Sequence, residues 1–129
     1  MVINRILRTL LIRRKPAIMP GNEDSLRNYS LDLAQEWGDF WLKPIQGRLC
    51  KAYPHLTPQE LDHYNEIAQA AMKYGHDLVY SMAESQGEKV SQSTWQANYS
   101  AHYPWVDKRN LSHLFSTGTY YAMKDGVGW

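Results

Sequence analysis

The sequence predicts an all-α domain of four main helices, in a small bundle or an orthogonal arrangement, and three observations lead there. Apolar residues recur at three- and four-residue steps through most of the chain. No segment alternates with strand period or carries an Asn-Gly hairpin turn. Twice, fifty residues apart, a helical pattern runs into Tyr-Pro and is followed by a capping residue and a new apolar stripe: Tyr53-Pro54-His55-Leu56-Thr57 and Tyr103-Pro104-Trp105-Val106-Asp107.

A chain of 129 residues suits one domain, and a composition 43% hydrophobic and 21% charged with 16 aromatic residues can build a core without disulfides. Cys50 is the lone cysteine, which excludes an intramolecular disulfide and a cysteine-rich zinc site and fits a reducing cytoplasm. The expected organisation is a basic amphipathic segment over 1–15, a linker over 16–24 and a helical domain over 25–126.

Residues 1–15 hold Arg5, Arg8, Arg13, Arg14 and Lys15 and no acid, a local charge of +5, whereas the rest of the chain sets nine Lys or Arg against thirteen Asp or Glu. The body is therefore net acidic and offers no general attraction to nucleic acid. On a helical wheel Val2, Ile3, Ile6, Leu7 and Leu10 fall on one side and Asn4, Arg5, Arg8 and Thr9 on the other, before Pro16 and Met19-Pro20-Gly21 interrupt the pattern. Three readings fit this segment: a helix docking its apolar stripe on the acidic body, peripheral membrane contact or organellar targeting, or sequence upstream of a start at Met19. The apolar run Leu10–Ile12 falls far short of the roughly 20 residues that span a bilayer.

From Ser25 the positions Leu26, Tyr29, Leu33, Trp37, Phe40, Trp41, Ile45, Leu49 and Ala52 read as one long helix, capped by Asn22, Asp24 or Ser25 and kinked or broken at Pro44. Thr57-Pro58-Gln59-Glu60 is the strongest local signal: a capping Thr, Pro at the first helical position and Glu placed to reach back to the cap amide. The helix it opens carries Leu61, Tyr64, Ala68, Ala71, Gly75, Leu78 and Met82 on one stripe and stops at Gly87. A shorter helix, opened by Ser91 or Ser93, carries Trp95 and Tyr99 to Tyr103-Pro104. Asp107 then caps a final helix with Leu111, Leu114 or Phe115, Gly118, Tyr121 and Ala122, ending near Gly126.

Aligning residues 45–64 with 95–114 gives identities at Gln46/Gln96, Tyr53/Tyr103, Pro54/Pro104, Leu61/Leu111 and His63/His113. Two related helix-corner-helix units account for this, and so does independent use of one turning device. Both readings predict two similar corners.

Glu60 and His63 have the Glu-x-x-His spacing that resembles one half of the ligand set in carboxylate-bridged di-metal bundles, and with His113 they form the candidate metal set. Asn110 stands where the second half would need a carboxylate, and Glu60 is also the capping-box acid. The residues specify no cofactor. Ser116-Thr117-Gly118-Thr119-Tyr120-Tyr121 resembles the start of the recognition helix in TetR-type DNA-binding domains; the resemblance implies DNA contact, but Leu114-Phe115 replaces the tight turn that motif requires and the body is acidic.

The aromatic density of Tyr99, Tyr103, Trp105, Phe115 and Tyr120 near the second corner is the expected binding surface, since Tyr and Trp are favoured at interfaces. The sequence thus leads to a non-catalytic intracellular interaction module that contacts a protein partner or a second copy of itself. A metal- or small-ligand-binding helical protein, centred on Glu60, His63 and His113 and open to catalysis, is the alternative.

Overall fold

A 29-residue helix begun by the Thr57 capping box is the spine of the molecule. In the computed structural model, which describes residues 23–36, 38, 41–87 and 89–127, the helices are α1 (Glu23–Ala34), α2 (Gln46–Ala52), α3 (Pro58–Gln86), α4 (Gln92–His102) and α5 (Lys108–Lys124). At a rise of 1.5 Å per residue α3 is about 43 Å long, and each of the other four helices packs against it. The described residues contain no strand. The amphipathic segment expected over 1–15, and the linker as far as residue 22, lie outside them.

Each end of α3 has a local cause. Thr57 Oγ1 accepts from the Glu60 amide at 3.1 Å while Glu60 Oε1 accepts from the Thr57 amide at 2.9 Å, so both halves of the capping box are in place. At the other end Gly87 adopts φ +65°, the left-handed conformation that glycine enters without a Cβ clash, and its amide bonds the Ala83 carbonyl. Ser91 caps α4 and Asp107 caps α5, each through its side-chain oxygen.

The single long helix expected from Ser25 to Ala52 is two helices, so the described residues form five helices where four were expected. α1 ends at Ala34 and α2 begins at Gln46. Pro44 lies outside both. The chain between them passes through Gly38 at φ +85° and Leu42 at φ +64°, backbone conformations that no helix accommodates. Arg48 holds the break together by donating to the carbonyls of Leu33 (2.7 Å), Pro44 (3.2 Å) and Lys43 (3.3 Å), while the Ile45 amide donates to Asn65 Oδ1 of α3 at 3.1 Å. Apolar spacing alone did not reveal this, because a chain that leaves a helix and returns can bury Leu33 and Ile45 as well as a continuous one does.

The core is one cluster drawn from all five helices, and Leu31, Ile45, Leu49, Val79, Trp95, Tyr99 and Leu114 are its large, fully enclosed members. α3 is covered on more than one side, so Met72, Val79 and Ala83 are buried while Leu61, Leu78 and Met82 of the expected stripe stay half exposed. Its small residues allow close approach: a Cβ on Gly75 would meet Tyr99 Cε1 at 3.2 Å, and a Cβ on Gly118 would meet Val79 Cγ2 at 2.9 Å.

Candidate binding groove

The two Tyr-Pro corners have nearly the same backbone. Tyr53 closes α2 at φ −133°, ψ 72° and Tyr103 closes α4 at φ −129°, ψ 68°. Their amides bond the carbonyls of Leu49 and Tyr99, and their own carbonyls accept from Leu56 and Val106 at 3.1 and 3.2 Å. Leu61 and Leu111 then bond back to the cap carbonyls, both at 2.9 Å. Even the ring contacts correspond: Tyr53 meets His55 edge-on at 6.3 Å and Tyr103 meets Trp105 edge-on at 6.1 Å.

The caps differ. At Asp107 the amide has no capping-box acid to bond, and it donates instead to Asn28 Oδ1 of α1 at 2.9 Å. That contact orients the whole network. With Oδ1 accepting, Asn28 Nδ2 donates to the carbonyls of Trp105 (2.8 Å) and Asp24 (2.9 Å). Asn110 Nδ2 donates to Asn28 O and Oδ1, both at 3.1 Å, so its Oδ1 accepts from Gln35 Nε2 at 2.8 Å. Gln35 Oε1 is left buried without a hydrogen-bond partner, a cost of about 1–3 kcal/mol.

α4 is joined to α3 by an aromatic ladder. Trp95 stacks on Tyr99 with ring centres 4.9 Å apart, and Tyr99 stacks on Tyr103 at 5.3 Å. Two of these rings are also pinned through their polar ends: Trp95 Nε1 donates to the Gly75 carbonyl at 3.0 Å and the Tyr99 hydroxyl to the Ala71 carbonyl at 2.9 Å. Burial pushes the Tyr99 hydroxyl well above the ordinary phenol range, with Tyr103 and Tyr74 adding to the effect. Tyr74 packs on Tyr103 at 5.5 Å and its hydroxyl hydrogen-bonds His102 Nδ1 at 2.9 Å.

The ladder surfaces at Tyr103 and Trp105, which wall an open groove of about 470 Å³ completed by Arg27 of α1 and by His63, Glu66, Ile67 and Ala70 of α3. The four α3 residues follow the i, i+3, i+4, i+7 spacing of one helix face. Arg27 is held at 2.5 Å by Asp24 and at 3.8 Å by Glu23, so the one guanidinium among the described lining residues is already engaged. Glu66 is exposed and has no ion-pair partner among the described residues. Ile67, Tyr103 and Trp105 are half-buried, giving the groove an apolar side within a charged rim. It is a concave surface with aromatic walls.

Of the five residues expected on a binding surface, Tyr103 and Trp105 line this groove. Tyr99 does not reach a surface at all: it is fully buried, enclosed by Trp95, Tyr74 and Tyr103. Phe115 packs half-buried on Trp95 at 5.4 Å, and Tyr120 is 50% exposed with its ring edge-on to Tyr121, away from the groove. Arg27, Glu66, Ile67 and Ala70 escaped the sequence reading, which followed only the apolar stripe of α3; the α3 face was nevertheless readable once His63 is taken as its first member.

Glu60, His63 and His113 do not converge into a metal-ligand group, and among the described residues no three His, Cys, Asp or Glu side chains are placed to hold a metal ion. Glu60 is occupied by the Thr57 amide, and His63 lines the groove, its ring beside Tyr64 at 5.4 Å. His113 lies half-buried near Asp32 and Arg109: burial lowers its pKa, opposed by Asp32 and reinforced by Arg109. Asp32 is raised by its own burial although Arg109 Nη1 is 3.1 Å away. His76 is pushed down to about 4 by burial, with Nε2 enclosed and unpartnered.

The run resembling a TetR-type recognition helix falls inside α5, where Thr117 and Gly118 are buried against the molecule rather than presented at a helix start. No described helix is long and apolar enough to cross a membrane. Comparison with protein-family models, with curated proteins and with solved structures finds no match to this chain.

Proposed function

We propose that this protein is a small interaction module that holds an apolar segment of a protein partner in the groove between α1, α3 and the second corner. The observation that carries this reading is the exposed end of the aromatic ladder. Tyr103 and Trp105 are presented at the surface while the core fixes Tyr103 through Tyr99 and Tyr74, and Asn28 fixes the Trp105 backbone. Aromatic side chains held in place before binding lose little freedom on contact, which is why Tyr and Trp dominate the energetics of interfaces. A concave site of this size with few polar groups suits apolar side chains better than a flat surface does.

A photo-reactive amino acid at position 105, compared with one at Asn98, exposed on α4 and outside the groove, tests the reading in cells that make the protein. A defined protein adduct from position 105 that is missing from position 98 and is abolished by Ile67→Asp supports it. Identical adducts from both positions, or none from 105, sink it.

A further inference from the structure

We infer that the groove is occupied, until a partner displaces it, by residues 2–12 of the same chain. The inference rests on the groove being the binding site, and three observations carry it: where the chain enters the fold, the charge on both sides, and the reach of the connection.

The described chain begins at Glu23, and Arg27, one helical turn further along α1, is a wall of the groove. The first residues of α1 also lie near the start of α3, because Glu23, Arg27 and Glu60 all act electrostatically on Tyr64. Glu23, the residue that the stretch 16–22 precedes, therefore stands about one helical turn from a groove wall. Seven residues reach at most about 25 Å when extended, whereas the α3 face from His63 to Ala70 is only about 10 Å long.

The chemistry is complementary. Residues 2–12 carry Val2, Ile3, Ile6, Leu7 and Leu10, matching the apolar side formed by Ile67, Ala70, Tyr103 and Trp105. The flanking charge is +5 over residues 1–15, with no acid. Opposite it, α3 exposes Glu60, Asp62 and Glu66 and has no Lys or Arg before Lys73, while Arg27 is already neutralised by Glu23 and Asp24. Glu66, on the wall itself, has no cation among the described residues, so a basic segment would give this carboxylate its partner. A partner of similar character would bind by competing with the tethered segment, whose effective concentration at the groove is high because the connection is short.

The test uses the full-length chain carrying Cys50→Ser and Asn4→Cys, a position on the polar side of the segment, with a nitroxide on the new cysteine and nitrogen-15 in the tryptophan indoles. The Trp105 signal is identified by its loss in Trp105→Phe. Docking removes most of the Trp105 intensity relative to the chemically reduced label, and Leu7→Asp restores it while the other tryptophan indole signals keep their positions, which separates restoration from a folding defect. A Trp105 signal at full intensity overturns the inference. Broadening that appears only when nitroxide-bearing chains are mixed with separate nitrogen-15 chains also overturns it, by assigning the groove to a second copy. Sedimentation with anionic phospholipid vesicles that Leu7→Asp abolishes, together with an unbroadened Trp105, overturns it in favour of a lipid surface. If Trp105 stays sharp while the photo-reactive residue at 105 still captures one protein, only the self-occupancy fails; if both fail, the groove is not a binding site.

Discussion

The corner at Tyr53 and the corner at Tyr103 have one backbone and two means of support. At the first the cap is satisfied locally: Thr57 and Glu60 satisfy each other's amides, and α1 reaches this corner through the Tyr29 ring, edge-on to Tyr53 at 5.5 Å. At the second the acid of the box is replaced by Asn110, buried at 3% exposure, and the cap amide is satisfied by Asn28, seventy-nine residues earlier in the chain. The same local code therefore yields a cap satisfied locally in one place and a cap satisfied by a tertiary joint in the other. What α1 covers becomes core, as with Asn110 and the half-buried His113; Glu60 and His63, in the equivalent places, remain exposed. The joint also fixes Trp105, because Asn28 holds its carbonyl.

The largest effect expected from breaking this comparison lies in the apolar ladders that precede the corners, Ile45-Leu49-Tyr53 and Trp95-Tyr99-Tyr103. Trp95→Ala removes a fully buried ring and leaves the Gly75 carbonyl without its extra donor. It should cost about 4 kcal/mol, read as a shift in the denaturant midpoint with unchanged slope. The change should also loosen Tyr103 through the stacked Tyr99, so groove binding should weaken even where the variant stays folded.

Acid probes the faces that α5 and its neighbours cover. His76, on α3 where Gly118 of α5 approaches, has a pKa near 4. The unfolded chain binds the extra proton first, so stability is full above the ordinary histidine range, falls as pH drops from about 6.5 towards 4, and levels off below. The full loss is about 3 kcal/mol. Asp77 opposes it, and His113, lowered in the same direction, adds to it. Asp32 works with the opposite sign, because its raised pKa makes the folded state bind a proton more readily near the lower end of that window. Urea titrations between pH 7 and 4 should show the decline in the wild type and a shallower one in His76→Phe; parallel curves would refute this role for His76.

A smaller effect separates the two caps directly. Asn28→Ala strips the Asp107 amide, the Trp105 carbonyl and part of Asn110 of their partners at once, and should cost about 2 kcal/mol. Glu60→Ala removes one exposed half of a capping box and should cost less than about 1 kcal/mol. Equal losses would mean that the second corner is as self-sufficient as the first.

This contrast also shows what the sequence could express. Tyr-Pro followed by Thr or Asp four residues after the tyrosine was enough to place both corners, because proline, cap and apolar spacing act within a few residues of each other. Gly87 and Ser91 were legible for the same reason. The break after Ala34 was not, since it depends on Arg48 reaching carbonyls as far back as Leu33 and on Asn65 receiving the Ile45 amide. Trp105 stood out as an aromatic residue in a turn, but its groove needed Arg27 and the α3 face from His63 to Ala70, which only packing brings together. Tyr99 misled because an aromatic residue on a helix looks the same in sequence whether it faces a partner or Ala71.

The finest test concerns the residues eleven positions beyond each cap, Ala68 after Thr57 and Gly118 after Asp107. Ala68 is fully buried, so the first position already accommodates a methyl group. At Gly118 a methyl would lie 2.9 Å from Val79 Cγ2 and 3.3 Å from Val79 Cβ. Val79 is itself fully buried, and a β-branched side chain in a helix has essentially one rotamer, so it cannot swing aside. Gly118→Ala gains about 1 kcal/mol of helix propensity and loses about 2 kcal/mol to overpacking, a net destabilisation of roughly 1 kcal/mol. Adding Val79→Ala opens the space at its own cost, so the double variant should be more stable than the sum of the single losses predicts. Strict additivity would show that α3 and α5 are not held at this closest approach, and that the two positions are equivalent after all.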